Sequence, residues 1–496
     1  LSTFFFFLVF FFAFFTMLGT LSWGAARCAA RQQRTFLPSF FHSSSVVKSD
    51  DMSSEEIADL CKKHTFFSWS VQNQINPLVI DKAEGIYFWA GGKRYTDLNS
   101  QLMCTNIGHG HPKVIKAIQD QAAELCFAGP PYATKVRAKV GPLLAKHTPG
   151  DLDKFFFTLG GAESNENAIK FARLATGRSK IMSRYRSYHG ATHGAMALTG
   201  DSRRWAIEPG SMGGVVRLFD PDPYRSLLYR EGDTLEEFGE RMLEQMEETM
   251  KYENPDSIAA VLLESVTGTN GLIVPPPNYL PGVRKLCDKY GILMIVDEVM
   301  AGLGRTGEWF AVDHWNVVPD MIVMAKGLTS AYLPLGCVAM SKKLSDHFDS
   351  KPLPGGLTYQ AHPACLAAAV ACLEVMEEEK MVENTREMGK VMAKLHQQLY
   401  EKHPSVGNVR SIGLFGAIEL VKNRETRETF IPFKGVNPAM GKVQEFLKEN
   451  GVIAFNNAQG MLLTIPPLCI NEQQLNETFE VVDKALDIAD ADCTAN

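Results

Sequence analysis

The sequence predicts an α/β protein built on a mostly parallel sheet, with a smaller α+β domain formed by an N-terminal segment and the C-terminal part. Three observations predict it. Between Gly108 and Ser341 short apolar runs alternate with amphipathic stretches of helical length, the pattern of strands covered by helices. After Thr358 comes a long alanine-rich stretch, Ala361 to Glu379, and then mixed helix and strand signals. Before Gly108 lies a short strand-turn-strand signal that belongs to neither pattern.

Taken in order, residues 1–49 read as a leader, 50–107 as an N-terminal segment, 108–345 as the large domain and 346–496 as the small C-terminal domain. Residues 1–26 hold no acid and begin with a phenylalanine-rich run, Phe4 to Phe15, which by length and apolarity suits a signal anchor or a membrane span. A T-rich untranslated leader read in frame gives the same run, and Met17 is then the start. From Met17 to Lys48 the segment carries Arg27, Arg31 and Arg34, the serines Ser43 to Ser45 and no acid before Asp50, the composition of a mitochondrial transit peptide. A mitochondrial protein with no membrane segment in its mature form is the expectation, with a cytoplasmic one as the alternative. In the N-terminal segment, Pro77 to Ile80, Gly85 to Trp89 and Arg94 to Asp97 read as strands, punctuated by Gly91-Gly92. In the large domain the clearest strands are Phe155 to Leu159, Ile258 to Leu263, Ile292 to Val296 and Met321 to Met324. Beyond the alanine-rich helix, further signals fall at Met381 to Glu401, Gly413 to Leu420 and Gly451 to Phe455.

Composition narrows the function. The 496 residues are 45% hydrophobic and 21% charged with a net charge of -6, and no long basic run marks a nucleic-acid partner. A small-molecule substrate is expected. Ten cysteines are scattered without close pairs, so reduced thiols and no metal are expected.

In open α/β sheets ligands sit beyond the carboxyl ends of strands, so residues ending the apolar runs come first. The run ending at Val296 delivers Asp297 and Glu298, and the run ending at Ala325 delivers Lys326 and Gly327. Either residue alone reads as a buried ion pair or an ordinary strand-end charge. A third strand ends in Gly160-Gly161-Ala162-Glu163-Ser164-Asn165 and runs into a helix, where free backbone N–H groups and the positive dipole end suit a phosphate. A lysine that bonds covalently, a carboxylate that keeps a pyridine nitrogen protonated, and a phosphate cradle are what pyridoxal chemistry needs.

Five ordered motifs make the likeness specific: Gly160 to Lys170, Ser187-Tyr188-His189-Gly190, Asp297-Glu298-Val299 followed by Gly302 to Gly307, Ala325-Lys326-Gly327-Leu328, and Gly356 to Pro363. In order and spacing they resemble those of class III aminotransferases, from about Asn76 to about Pro467. The resemblance implies the fold type I of pyridoxal-phosphate-dependent transferases and pyridoxal 5'-phosphate as cofactor, with Lys326 holding it covalently. It implies that Gly161 and Ala162 bind the phosphate and that Tyr188, in the segment with His189, stacks on the pyridine. Asp297 would pair with the ring nitrogen, Val299 would pack on the opposite face, and Glu264 would lie near the ring hydroxyl and Asp297. Thr358 would reach the phosphate of a neighbouring subunit, making a homodimer the minimal unit, alone or paired into a tetramer. Outside this context Tyr188 reads as a core aromatic and Thr358 as a helix N-cap.

The same resemblance bears on substrates. Arg410 stands where family members grip a substrate carboxylate, for which a guanidinium is suited. The stretch Val266 to Gly271 lacks the glutamate that shields this arginine in relatives using 2-oxoglutarate, which leans toward pyruvate or glyoxylate as acceptor. Met103 replaces a tryptophan of several ω-amine and taurine types, and Asn456 and Asn457 stand where some carry a mobile arginine. The expected reaction is ping-pong transfer from an ω-amino acid or taurine-like donor to pyruvate or another 2-oxo acid. Alternatives are an alanine–glyoxylate or 4-aminobutyrate/ornithine type, and an aminomutase or decarboxylating relative on the same scaffold.

Overall fold

A computed structural model describes residues 52–207, 212–457 and 459–494. The transit-peptide and Met17 readings fall on residues 1–49, outside the described residues. Sixteen strands and their helices follow one another in the described chain. The N-terminal strands are β1 (Ile80–Glu84), β2 (Tyr87–Ala90) and β3 (Lys93–Asp97). The first begins where the sequence placed an end, because Pro77 cannot donate to a ladder.

The large sheet contains β4 (Lys154–Thr158), β5 (Lys180–Arg184), β6 (Val215–Leu218), β7 (Ile258–Glu264), β8 (Leu293–Asp297), β9 (Met321–Met324) and β10 (Gly336–Met340). Its spatial order is β4-β10-β9-β8-β7-β5-β6. The pairs from β9 across to β6 are parallel, and β10 runs antiparallel to both its neighbours. Apolar residues occur at nearly every position of these strands because helices cover both faces. Val261, Leu263, Val296 and Met324 join one hydrophobic layer, and their alternates Leu262, Ile295 and Val323 join the other. The helix Gly161–Thr176 packs on β7, β9 and β10.

C-terminal strands β11 (Val406–Ile412), β12 (Phe415–Asn423), β16 (Met461–Thr464) and β15 (Phe455–Asn456) form a second sheet, with β13 (Glu428–Thr429) beside β12. Strand β14 (Val452–Ile453) instead pairs in parallel with β3, Val452 opposite Thr96. The N-terminal segment and the C-terminal part thus share a sheet, as the sequence reading proposed. The alanine-rich helix, Pro363–Glu378, is buried almost all round and packs on the helices Pro112–Glu124 and Lys135–Ala145 of the large domain. Among the described residues no helix is long and apolar enough to cross a membrane.

Candidate active site

Three adjacent parallel strands end at the same level. Glu264, the last residue of β7, lies opposite Asp297, the last of β8, and Asp297 lies opposite Val323 of β9, three residues before Lys326. Two acids and an amine therefore emerge side by side at the carboxyl edge of the sheet. They line a cavity of about 1000 Å³ together with Met103, Gly161, Ala162, Tyr188, His189 and Val299.

Lys326 sits just past β9 with φ of 45°, a left-handed conformation costly for a non-glycine residue and typical of positions held for function. Burial lowers its proton affinity below that of an ordinary lysine; the Asp297 and Glu264 carboxylates oppose this, and the Arg203 charge adds to it. Asp297 is fixed by three donors: Asn165 Nδ2 at 2.8 Å and the His189 ring Nδ1 at 2.8 Å, both on Oδ2, and the Val299 N–H on Oδ1 at 3.0 Å. Asn165 also donates to the carbonyl of His189 at 2.8 Å, tying the helix to the Tyr188 segment. Glu264 accepts the Tyr188 N–H at 3.1 Å and the Gly268 N–H at 2.6 Å, and burial raises its pKa.

The phosphate cradle meets its physical requirements. The helix Gly161–Thr176 starts at Gly160 with no side-chain cap, so its leading N–H groups are left to an external acceptor. A Cβ at Gly161 would lie 3.0 Å from Val299 Cγ2. Gly190 has φ of 135°, and a Cβ there would approach Ala162 Cβ to 2.5 Å, so only glycine lets the Tyr188 segment close on the cradle. His189 Nε2 and Asn165 Oδ1 are buried polar atoms lacking partners among the described residues. An uncapped helix start, a buried carboxylate, an aromatic face and a lysine whose proton affinity burial lowers fit a flat, phosphorylated pyridine cofactor.

One site expectation meets a different geometry. Arg410 does not line the cavity. Its Nη1 lies 2.6 Å from Glu419 Oε2, and its Nε donates to the Gly271 carbonyl at 3.0 Å, behind the cavity wall. Glu419 comes from β12, the antiparallel neighbour of β11, two residues beyond the direct partner of Arg410. An acid thus covers this arginine although Val266 to Gly271 contains none. Thr358 is exposed and lies outside the cavity of its own chain, and His362, not Thr358, holds the N-cap position of the alanine-rich helix.

Asn457 lines the cavity and donates to the Thr269 carbonyl at 3.1 Å, whereas Asn456 does not line it. Sequence reasoning gave no role to Asn165, Asp201, Arg203, Trp69 or Phe433, all of which line the cavity. A signal for two of them was present: Asp201-Ser-Arg-Arg-Trp205 concentrates charge and an aromatic just beyond the Tyr188 motif.

Comparison with known proteins agrees with this geometry. The profile of the family aminotransferase class-III matches residues 69–486. A taurine:2-oxoglutarate aminotransferase from Bifidobacterium kashiwanohense, solved in complex with PLP and glutamate, superposes with a TM-score of 0.86 at 43% identity, covering 90% of this chain and 100% of that one. The taurine–pyruvate aminotransferase of Bilophila wadsworthia is 32% identical over 450 residues, 87% of this chain and 96% of the relative. The putrescine–pyruvate aminotransferase of Pseudomonas aeruginosa is 32% identical over 440 residues, 85% and 93% of the two chains. The chain belongs to the class III aminotransferases. It has the fold of the pyridoxal-phosphate-dependent members of that family, and it is an aminotransferase.

Proposed function

We propose that this enzyme carries pyridoxal phosphate on Lys326 and moves the amino group of an ω-amino acid or taurine-like donor to a 2-oxo acid, working as a homodimer in mitochondria. One observation carries the reading: Lys326, Asp297, Glu264 and the uncapped helix start at Gly161 and Ala162 line one cavity. Gly161 and Ala162 would hold the phosphate, Tyr188 and Val299 the two ring faces, and Asp297 the ring nitrogen. When bound, the cofactor supplies the electron sink and carries the amino group between two substrates.

The protein's own residues do the rest. His189 and Asn165 donate to Oδ2 of Asp297 and fix its orientation. Lys326, whose proton affinity burial lowers, presents the Nζ that would take a proton from the amine-bearing carbon of the donor. Glu264, held by two backbone N–H groups, fixes Tyr188 in place. The donor class is supported by relatives that act on taurine, and the acceptor stays at the level of a 2-oxo acid because those relatives are named for both pyruvate and 2-oxoglutarate.

The test is the absorption spectrum of protein from about Asp50 onward, before and after adding taurine, β-alanine, 4-aminobutyrate, ornithine or alanine singly. A visible band that bleaches with taurine or β-alanine and returns with pyruvate or 2-oxoglutarate supports the proposal. A band indifferent to every ω-amino donor but bleached by alanine would replace it with an α-amino acid specificity.

A further inference from the structure

Among the described residues five cationic side chains line the cavity, and four of them are committed elsewhere. Lys326 is the reacting amine. The Arg186 guanidinium donates to the Asn270 carbonyl at 2.9 Å and pairs with the buried Asp222. Arg204 turns back onto the carbonyls of Gly200 and Asp201. Lys434 lies 4.7 Å from the Trp205 ring centroid and 5.8 Å from that of Phe433.

Arg203 differs in where its donors point. Asp201 takes the Nε and Nη2 edge, with Nε 3.0 Å from each carboxylate oxygen, and Nη2 also donates to Thr269 Oγ1 at 3.0 Å. Its Nη1 makes no hydrogen bond among the described residues and so keeps two N–H groups. The guanidinium carbon lies 3.8 Å from the Tyr188 ring centroid, a cation–π contact that holds the plane of the group. Asn270 Nδ2 donates to Asp201 at 2.9 Å, so the carboxylate that orients Arg203 is itself fixed from β7's following loop. Arg410 offers no such edge to the cavity, being closed by Glu419.

We propose that Arg203 grips the acidic end of the amino donor, a carboxylate or a sulfonate, through Nη1 with the Thr269 hydroxyl beside it, and that Asp201 is its positioning residue. This names the specificity element of the function proposed above and rests on that reading. The placement selects short donors, because the arginine borders the same ring, Tyr188, that flanks the reacting centre. The Arg203 charge is also among those felt by Lys326, in keeping with that closeness.

The test uses the cofactor-loaded protein and the variants Arg203→Gln and Arg203→Lys. Isethionate and 3-hydroxypropanoate, a sulfonate and a carboxylate lacking the amine, are titrated by calorimetry, and taurine and β-alanine are compared as donors with uncharged propylamine. Loss of a charge-assisted contact predicts that Arg203→Gln weakens binding of the inert acids roughly 10-fold or more, and lowers the kcat/KM ratio of acidic to neutral donor by a similar factor through KM. Arg203→Lys should recover part of that ratio, since the charge remains and the fork is lost. Tighter binding of isethionate than of 3-hydroxypropanoate marks a sulfonate site, and the reverse a carboxylate site; either supports the grip. Unchanged affinity for both acids in Arg203→Gln, or a ratio that collapses with Arg410→Gln and not with Arg203→Gln, overturns it. If no acidic donor reacts with the wild type, the proposed function fails, and the isethionate and 3-hydroxypropanoate titrations still decide whether Arg203 binds an acid.

Discussion

Replacing Glu298 by glutamine should reshape the pH dependence of stability. Glu298 follows Asp297 at the end of β8 and is buried; it accepts the Ala311 N–H at 2.7 Å and the Val312 N–H at 2.9 Å, fastening the short helix Ala311–Trp315 behind the site. Burial pushes its pKa up from 4.5 to about 7 against those hydrogen bonds. The native state therefore keeps a proton that the unfolded chain has already released. The associated stability is fully present below pH 4.5 and is lost as the pH rises through 7, a swing of roughly 3 kcal/mol at about 1.36 kcal/mol per unit. Glutamine cannot ionise, so the variant lacks the swing, but its amide accepts through one oxygen and loses one of the two backbone donors, a constant cost of about 1–3 kcal/mol. Glu298→Gln should then unfold at a lower temperature than wild type at pH 5, with the gap closing or reversing by pH 8. Thermal unfolding of both proteins across pH 5–8 measures it. Parallel curves with a constant offset would refute the reasoning, because they would mean Glu298 is ionised throughout.

Two further changes probe other parts of the molecule. His396 is buried with Nε2 2.9 Å from Thr464 Oγ1, and burial holds its pKa down at about 3. Below pH 6.5 the unfolded chain gains a proton the native state refuses, so stability falls with decreasing pH by about 1.4 kcal/mol per unit until pH 3. His396→Leu should flatten that acid limb in an unfolding titration, and a limb of unchanged slope would contradict the assignment. Gly190→Ala places a methyl 2.5 Å from Ala162 Cβ at φ of 135°, and should lower cofactor affinity roughly 10-fold or more as the Tyr188 segment is pushed off the cradle. Fluorescence titration of the cofactor-free variant measures it, and an affinity within threefold of wild type would show that the segment relaxes freely.

The strands that carry the site were legible because they are buried on both faces. Met321–Met324 came out as read, and β4 and β8 shifted by one residue, since an unbroken apolar run shows that a strand exists but little about where it ends. Lys326 and Asp297 stood out as an amine and an acid at the ends of such runs, and Gly161, Ala162, Tyr188, His189, Val299 and Met103 all line one cavity with them. What sequence did not disclose is pairing across strands and loops. Glu419 is nine residues from Arg410 and faces it only because β11 and β12 are antiparallel. Arg203 enters the cavity because Asp201 and Thr269, 68 residues apart, meet at its guanidinium, a contact no local pattern encodes.

The central claim is that Lys326 is the residue that bonds the cofactor. Its most direct test is to load the protein with pyridoxal phosphate, reduce with borohydride, digest, and locate the added pyridoxyl group by mass spectrometry. A single modification on the peptide containing Lys326, absent when donor is added first and absent in Lys326→Ala, is the predicted result. A modification on another lysine, or a visible band surviving in Lys326→Ala, would contradict it.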